Sequence, residues 1–260
     1  MGVVNVTPDS FSDGGLFLDA QAAIRHGQEL AAHGADVIDV GGESTRPGAL
    51  EVPAAEEVSR IGPVVEGLTS AGVPISIDTS KLAVAEAALE AGAEIVNDVT
   101  ALRAEPELAG LCADRRAELV LMHMRGSPRT MQEDPRYEDV VDDVRAFLEE
   151  RLAFAVREGV PENRIWLDPG IGFGKSVEHN LELLRRLGEL TELGRPLVVG
   201  TSRKSFIGKI TGAPVEDRLG GTIATCVLAY QAGAQMLRVH DVPEVRDALT
   251  VAEAILGASD

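Results

Sequence analysis

The sequence predicts an α/β fold, a (β/α)8 TIM barrel in a single domain spanning 1–260, and three observations carry that prediction. Eight short apolar runs each stop at a polar or charged residue, helical stretches separate them, and a helix end, a glycine turn and the next run recur as a unit. Runs this short, apolar on both faces and alternating with helices, suit parallel strands joined by helical crossovers. The 260 residues also match the roughly 250 of one such barrel.

The runs come in order. Val3-Val4 leads to Asn5, Val37 to Val40 leads to Glu43, and Ile75 to Ile77 leads to Asp78. Ile95-Val96 leads to Asn97, Leu119 to Met122 leads to His123, and Ile165 to Leu167 leads to Asp168. Leu197 to Val199 leads to Ser202, and Met236 to Val239 leads to His240. The helical stretches expected between them cover 19–33, 53–70, 82–92, 105–116, 138–158, 177–188, 219–233 and 242–256. Gly34, Gly72, Gly92, Gly159 and Gly233 stand where a left-handed helix C-terminus is expected. Strand one begins at Gly2, which leaves no segment to cover the bottom of the barrel; a start upstream of Met1 or a trimmed N-terminus accounts for this.

Composition narrows the function. The net charge of −18 disfavours nucleic acid and anionic membranes as partners. No run approaches the ~18 apolar residues of a membrane helix, and no basic segment opens the chain. Cys112 and Cys226 are far apart in apolar helical patterns, as buried thiols of a reducing compartment are, so a cytosolic location is expected. Two connections, 6–18 and 41–52, are long and rich in Gly, Pro, Ser and Asp. Long loops on the catalytic rim commonly act as lids or binding loops.

The carboxyl ends of parallel barrel strands share one rim, where side chains converge. There Asp78 and Asp168 each end an apolar strand. A carboxylate accepts two parallel N–H bonds, which suits a guanidine-like heterocycle; the alternative is that both aspartates cap the following helices. Asn5 and Asn97 are neutral ligands for a heterocycle or a magnesium ion. Lys204 follows strand seven, a common place for phosphate in barrels. Arg238 and His240 lie on the same face of strand eight and, with Arg46, would form an anion cup. His123 between Met122 and Met124 is no zinc site, and His26, His33 and His179 read as helix-surface residues. Walker spacing is absent, and G-x-G-x-G within Asp168–Lys175 lacks the dinucleotide spacing. No G-x-S-x-G elbow or rim cysteine supplies a nucleophile. These residues favour a reaction between two bound substrates, one carrying a phosphate leaving group.

Seven segments resemble the dihydropteroate synthase family: NVTPDSFSDGG at Asn5–Gly15, GESTRPG at Gly42–Gly48, IDTSK at Ile77–Lys81, Asn97-Asp98, DPGIGFGK at Asp168–Lys175, SRKS at Ser202–Ser205 and RVHD at Arg238–Asp241. They occur in the family's order and span nearly the whole chain. The resemblance implies condensation of 6-hydroxymethyl-7,8-dihydropterin diphosphate with 4-aminobenzoate, releasing pyrophosphate, in folate biosynthesis. It implies magnesium (Mg2+) near Asn5, sulfonamides as competitors and a homodimer. It assigns the pterin to Asp78, Asn97, Asp168 and Lys204, with Met122 and Gly172 lining the pocket. The diphosphate falls to Asn5, Arg46, Arg238 and His240, and 4-aminobenzoate to Phe11, Thr45, Pro47, Phe173 and Ser205. The implied mechanism is dissociative, in keeping with the missing nucleophile.

The dimer is expected through the seventh and eighth helices, because Thr222–Gln231 is apolar nearly all round, whereas a helix ringing a barrel needs a polar outer face. Two other readings compete. A corrinoid methyltransferase using methyltetrahydrofolate would share Asp78, Asn97 and Asp168 but would not need Arg46, Arg203, Lys204 and Arg238 to bind a diphosphate, and that cluster discriminates against it. A pterin-binding paralogue without turnover is the second.

Overall fold

The strands are short because only a few residues of each run lie in the ladder before the chain leaves for its helix. The computed structural model describes residues 1–7, 16–44, 49, 51–126 and 130–257. Strands β1 (Gly2–Asn5), β2 (Ile38–Gly41), β3 (Ile75–Asp78), β4 (Ile95–Asp98), β5 (Glu118–Met122) and β6 (Ile165–Asp168) form one parallel sheet in sequence order. Strands β7 (Val198–Val199) and β8 (Met236–Leu237) pair with each other. Two parallel bridges, Leu167 with Leu197 and Gly2 with Val239, join these sheets and close the barrel. Val3 N–H donates to Val239 O at 3.0 Å across the closing seam.

Alternate strand residues separate two cores, as the period of two requires. Val4, Ile38, Val40, Ile77, Val96, Leu119, Leu121 and Leu167 pack in the cluster shared with the helices. Met1, Val37, Ile95, Val120 and Val198 form a second cluster in the lumen, with Trp166 and Met236 against it. Trp166 Nε1 donates to Glu118 Oε2 at 2.7 Å there, which satisfies a polar pair in an otherwise apolar floor.

The outer ring is α1 (Leu16–Ala32), α2 (Ala54–Leu68), α3 (Leu82–Ala91), α4 (Leu108–Arg115), α5 (Val140–Arg157), α6 (Val177–Arg185), α7 (Ser205–Thr211), α8 (Leu219–Gln231) and α9 (Val242–Leu256). All but α7 were expected, within a few residues. Gly34, Gly72, Gly92, Gly159 and Gly233 each have positive φ, as a left-handed C-terminus demands. The short α7 follows β7 directly and makes the expected seventh and eighth helices α8 and α9.

Asp98, the last residue of β4, points away from the lumen. Its carboxylate accepts from Thr100 N at 2.7 Å and Leu102 N at 2.6 Å. Arg151 of α5 donates to Ala101 O at 2.7 Å. These bonds hold Ala101 and Leu102 at φ of 53° and 64°, a conformation costly for residues with a Cβ.

Candidate active site

The alternation that puts Val37, Ile95, Val120, Trp166 and Met236 in the lumen places Asp39, Asn97, Met122, Asp168 and Arg238 there too, one step nearer the rim. Register adds Asn5 and Asp78, since Gly41 pairs with both and Asp78 pairs with Asn97. One end of the lumen is therefore polar and the other apolar.

Arg238 is the hub of the polar end. Its Nε donates to Asp39 Oδ2 at 2.6 Å and its Nη2 to Asp78 Oδ2 at 2.8 Å. Asn97 Nδ2 donates to the same Asp39 oxygen at 3.3 Å. Asp39 Oδ1 and Asp78 Oδ1 are buried without a partner, so two acceptors stand ready for N–H donors from outside the chain. Burial pushes the Asp78 carboxyl up to about 7, against the pull of Arg238 and with the push of Asp39. Asp39 escaped sequence reasoning because it lies inside an apolar run; a charge in the middle of such a strand was the signal available.

Asp168 and Lys204 face each other across the turn at 170–174. Asp168 Oδ1 accepts from Gly170 N at 2.7 Å. Burial raises the Asp168 pKa, opposed by Lys204 and the Gly170 N–H. Lys204 Nζ donates to Ile171 O and lies 4.4 Å from the centre of the Phe173 ring. Burial brings the Lys204 ammonium down to about 8, with Asp168 opposing. At Gly172, φ is +85° and a Cβ would come within 2.8 Å of Lys204 Cδ, so glycine there lets the lysine lie along the backbone.

A second lysine, assigned no role from the sequence, pins that turn from below. Lys175 is buried, and its Nζ contacts His123 Nδ1 at 2.8 Å, Gly170 O at 2.9 Å and Phe173 O at 3.1 Å. Burial and then the Lys175 charge lower the His123 pKa to about 2, which keeps the ring neutral, and burial lowers the Lys175 pKa as well. Lysines after a strand normally reach solvent, which is why nothing in the sequence marked this one.

Met122 is buried and packs with Val99, Met124 and Met131, with Phe173 against the cluster. Asn5 is half-buried at the rim and Ser205 exposed at the start of α7. The helix-cap alternative for the aspartates fails: no side chain caps α3 at Lys81, Leu82 N donates to Glu105 Oε2 at 2.7 Å, and Ser176 caps α6. His179, expected on a helix surface, closes the capping box with Ser176. Arg203, grouped with the anion-binding residues, instead pairs with Asp241. Arg238 turns into the lumen, and His240 Nδ1 lies 2.9 Å from Ser202 Oγ. Ser202 Oγ also accepts from His240 N at 3.2 Å, and Asp241 is held by Arg203. Phe11, Thr45, Arg46 and Pro47 lie outside the described residues.

The polar lumen can take a flat ring rich in N–H groups, with carboxylates on two sides and an ammonium over it. A cavity of about 670 Å³ opens at the other end and is lined by Met1, Val37, Ile95, Val120, Trp166 and Met236 among others. It shares none of these groups.

Comparison with known proteins gives concordant matches. The profile of the pterin binding enzymes matches residues 1–240. A dihydropteroate synthase of Synechocystis sp. is 47% identical over 98% of this chain and 89% of its own length. The Xanthomonas albilineans dihydropteroate synthase solved with 4-aminobenzoic acid superposes with a TM-score of 0.94 at 49% identity, covering 100% of this chain and 93% of that one. The Yersinia pestis dihydropteroate synthase solved with a sulfonamide drug gives 0.94 at 44% identity, covering 99% and 94%.

Proposed function

The chain belongs to the pterin-binding enzyme family and has the activity of a dihydropteroate synthase, and from this premise we propose how its own residues divide the reaction. The enzyme joins 6-hydroxymethyl-7,8-dihydropterin diphosphate to 4-aminobenzoate, forming 7,8-dihydropteroate and pyrophosphate in folate biosynthesis. The observation that carries the proposal is the pair of buried, unpartnered carboxylate oxygens on Asp39 and Asp78 beside Arg238. Asp168 reads the guanidine-like edge of the pterin in a bidentate pair. Asn97 and Asp78 take further ring N–H groups, and Lys204 lies over the ring with Met122 and Gly172 as walls. Arg238, Arg46, Asn5 and His240 serve the diphosphate, while Phe11, Thr45, Pro47, Phe173 and Ser205 hold 4-aminobenzoate.

The bond between the methylene carbon and the diphosphate oxygen breaks, and its electron pair leaves with pyrophosphate. The ring delocalises the resulting positive charge, and Asp78 stabilises it from a site of low dielectric. The amine nitrogen of 4-aminobenzoate then forms the new C–N bond and releases a proton. No protein nucleophile is required, only positioning and electrostatics.

Magnesium fits as a partner of the diphosphate. The Asn5 amide oxygen and the Asp78 carboxylate flank Gly41, which puts no side chain between them. Among the described residues no cluster of three His, Cys, Asp or Glu is placed for a metal, so Asn5 would share the ion with substrate oxygens, as magnesium commonly does. The ion would offset charge on the leaving pyrophosphate.

The same reading includes a single pterin-binding barrel over residues 1–260, a homodimer through α8 and α9, and a cytosolic location. Leu228 on α8 is 58% exposed, and Val251 and Ile255 on α9 are 60% and 71% exposed. No helix among the described residues is long and apolar enough to cross a membrane, and Cys112 and Cys226 are free and buried.

Incubation with both substrates and magnesium should release pyrophosphate and form 7,8-dihydropteroate, and Asp168→Asn should abolish pterin binding with the fold intact. An amide can still accept from Gly170 N but presents a donor to a ring donor. A variant that binds pterin as tightly as the wild type would remove Asp168 from the ring site.

A further inference from the structure

Two residues from different segments, Glu43 and Lys81, have no part in the ring site and meet each other. Lys81 lies three residues after Asp78, just before α3. Its Nζ donates to Glu43 Oε2 at 2.9 Å, Val52 O at 2.6 Å and Glu57 Oε2 at 2.7 Å. Those three acceptors use the three N–H groups of an ammonium. Glu43 opens the second long loop, Val52 closes it, and Glu57 is a fully buried residue of α2. Glu43 Oε1 completes the ring by accepting from Val52 N at 2.8 Å. One cation therefore ties both ends of the loop to each other and to the outer ring.

A surface ion pair would contribute little. This one differs, because Glu57 has no exposed surface and Lys81 only 12% of its side chain exposed, so its geometry is held by burial. The clamp also starts from the connection that carries Asp78. Hydrogen bonds thus run from the residue three positions after Asp78 to Glu43 and Val52, which bracket Thr45, Arg46 and Pro47 in the chain.

We propose that Lys81 is a positioning residue for the second substrate: by clamping Glu43 and Val52 it holds together, beside the strand that carries Asp78, the two ends of the connection that includes Thr45, Arg46 and Pro47. The proposal deepens the functional reading above and rests on it. Lys81 touches neither substrate. Losing the clamp loosens Glu43 and Val52 from each other, which weakens 4-aminobenzoate binding and leaves the ring contacts of Asp78, Asn97, Asp168 and Lys204 in place.

The test is a steady-state comparison of Lys81→Met with the wild type, alongside calorimetry with the free pterin alcohol. KM for 4-aminobenzoate should rise about tenfold or more, the scale on which a small misplacement registers. Affinity for the free pterin should stay within about twofold of wild type, since no ring contact is removed. Lys81→Met leaves Glu57 buried without its cation and should lower the melting temperature. The double variant Lys81→Met, Glu57→Gln removes that charge and should recover the melting temperature while keeping the raised KM. Lys81→Arg should restore part of the KM. An unchanged KM in the double variant overturns the proposal, as does a parallel loss of free pterin affinity. The functional reading fails separately, if the wild type itself releases no pyrophosphate. In that event hydrogen exchange decides the clamp: residues 43–52 of the double variant should exchange faster than in the wild type, and equal rates overturn it.

Discussion

Arg238 and Asp78 stand 2.8 Å apart in the lumen, Nη2 to Oδ2, joining strand β8 to strand β3 across the barrel. The same guanidinium holds Asp39. Arg238→Met should therefore destabilise the empty enzyme by about 3–5 kcal/mol, because it strands two buried carboxylates. Urea unfolding at pH 8 would measure this. Adding Asp39→Asn should return part of the loss, and a wild-type midpoint in Arg238→Met would show that both carboxylates are solvated.

Asp78 sets a pH dependence whose sign is fixed by its raised pKa. Its ordinary value is 3.8 and burial lifts it to about 7 in the folded chain. Below 3.8 both states hold the proton; between 3.8 and 7 the folded state alone tends to hold it, so the stability from this group is lost as pH rises through that window. Binding a ring that donates N–H bonds to the carboxylate expels the proton. Affinity for the free pterin should rise about tenfold from pH 6 to 8 with proton release, measured by calorimetry in buffers of different ionisation enthalpy. Asp78→Asn should flatten the profile.

Lys204 should bound activity on the alkaline side. Its ammonium titrates near 8 because burial disfavours the charge, so kcat/KM should fall above pH 8 as it deprotonates. Lys204→Arg keeps its charge and should move that limb upward even where the rate is lower. A limb still near 8 in the arginine variant would assign it to another group.

Leu228 should mark the subunit contact. It is 58% exposed on α8, and a charge placed in an apolar contact opposes burial. Leu228→Glu should sediment as a monomer at micromolar concentration while the wild type sediments as a dimer. Identical sedimentation of both proteins would place the contact elsewhere.

Residues at strand ends were legible because position and polarity coincide there. A run such as Ile75 to Ile77 followed by Asp78 states both the strand and the rim. Helix ends were legible for a similar reason, since Gly92 or Gly233 supplies the positive φ that ends the helix before it. Asp39 was hidden because its partner Arg238 lies 199 positions away. The Lys81 and Lys175 clamps were hidden because a lysine's solvent exposure is a tertiary property, invisible to periodicity. Arg203 neighbours Lys204 in the chain, yet its guanidinium pairs with Asp241, 38 positions away. The short α7 was missed because seven residues give too little amphipathic pattern to register.

The chain's lysines are Lys81, Lys175, Lys204 and Lys209, and their settings make the barrel chemically selective. Lys175 is sealed beneath the 170–174 turn, and Lys81 is held by two carboxylates that raise its pKa. Lys209 is an exposed residue of α7. Lys204, half-buried and titrating near 8, holds a larger free-amine fraction near neutrality than an ordinary lysine. An acylating reagent small enough to enter the lumen would thus find a nucleophile at the mouth of the ring site, and bound pterin would shield it. Covalent ligands have an address in this protein inside the ring site, apart from the exposed amine of Lys209.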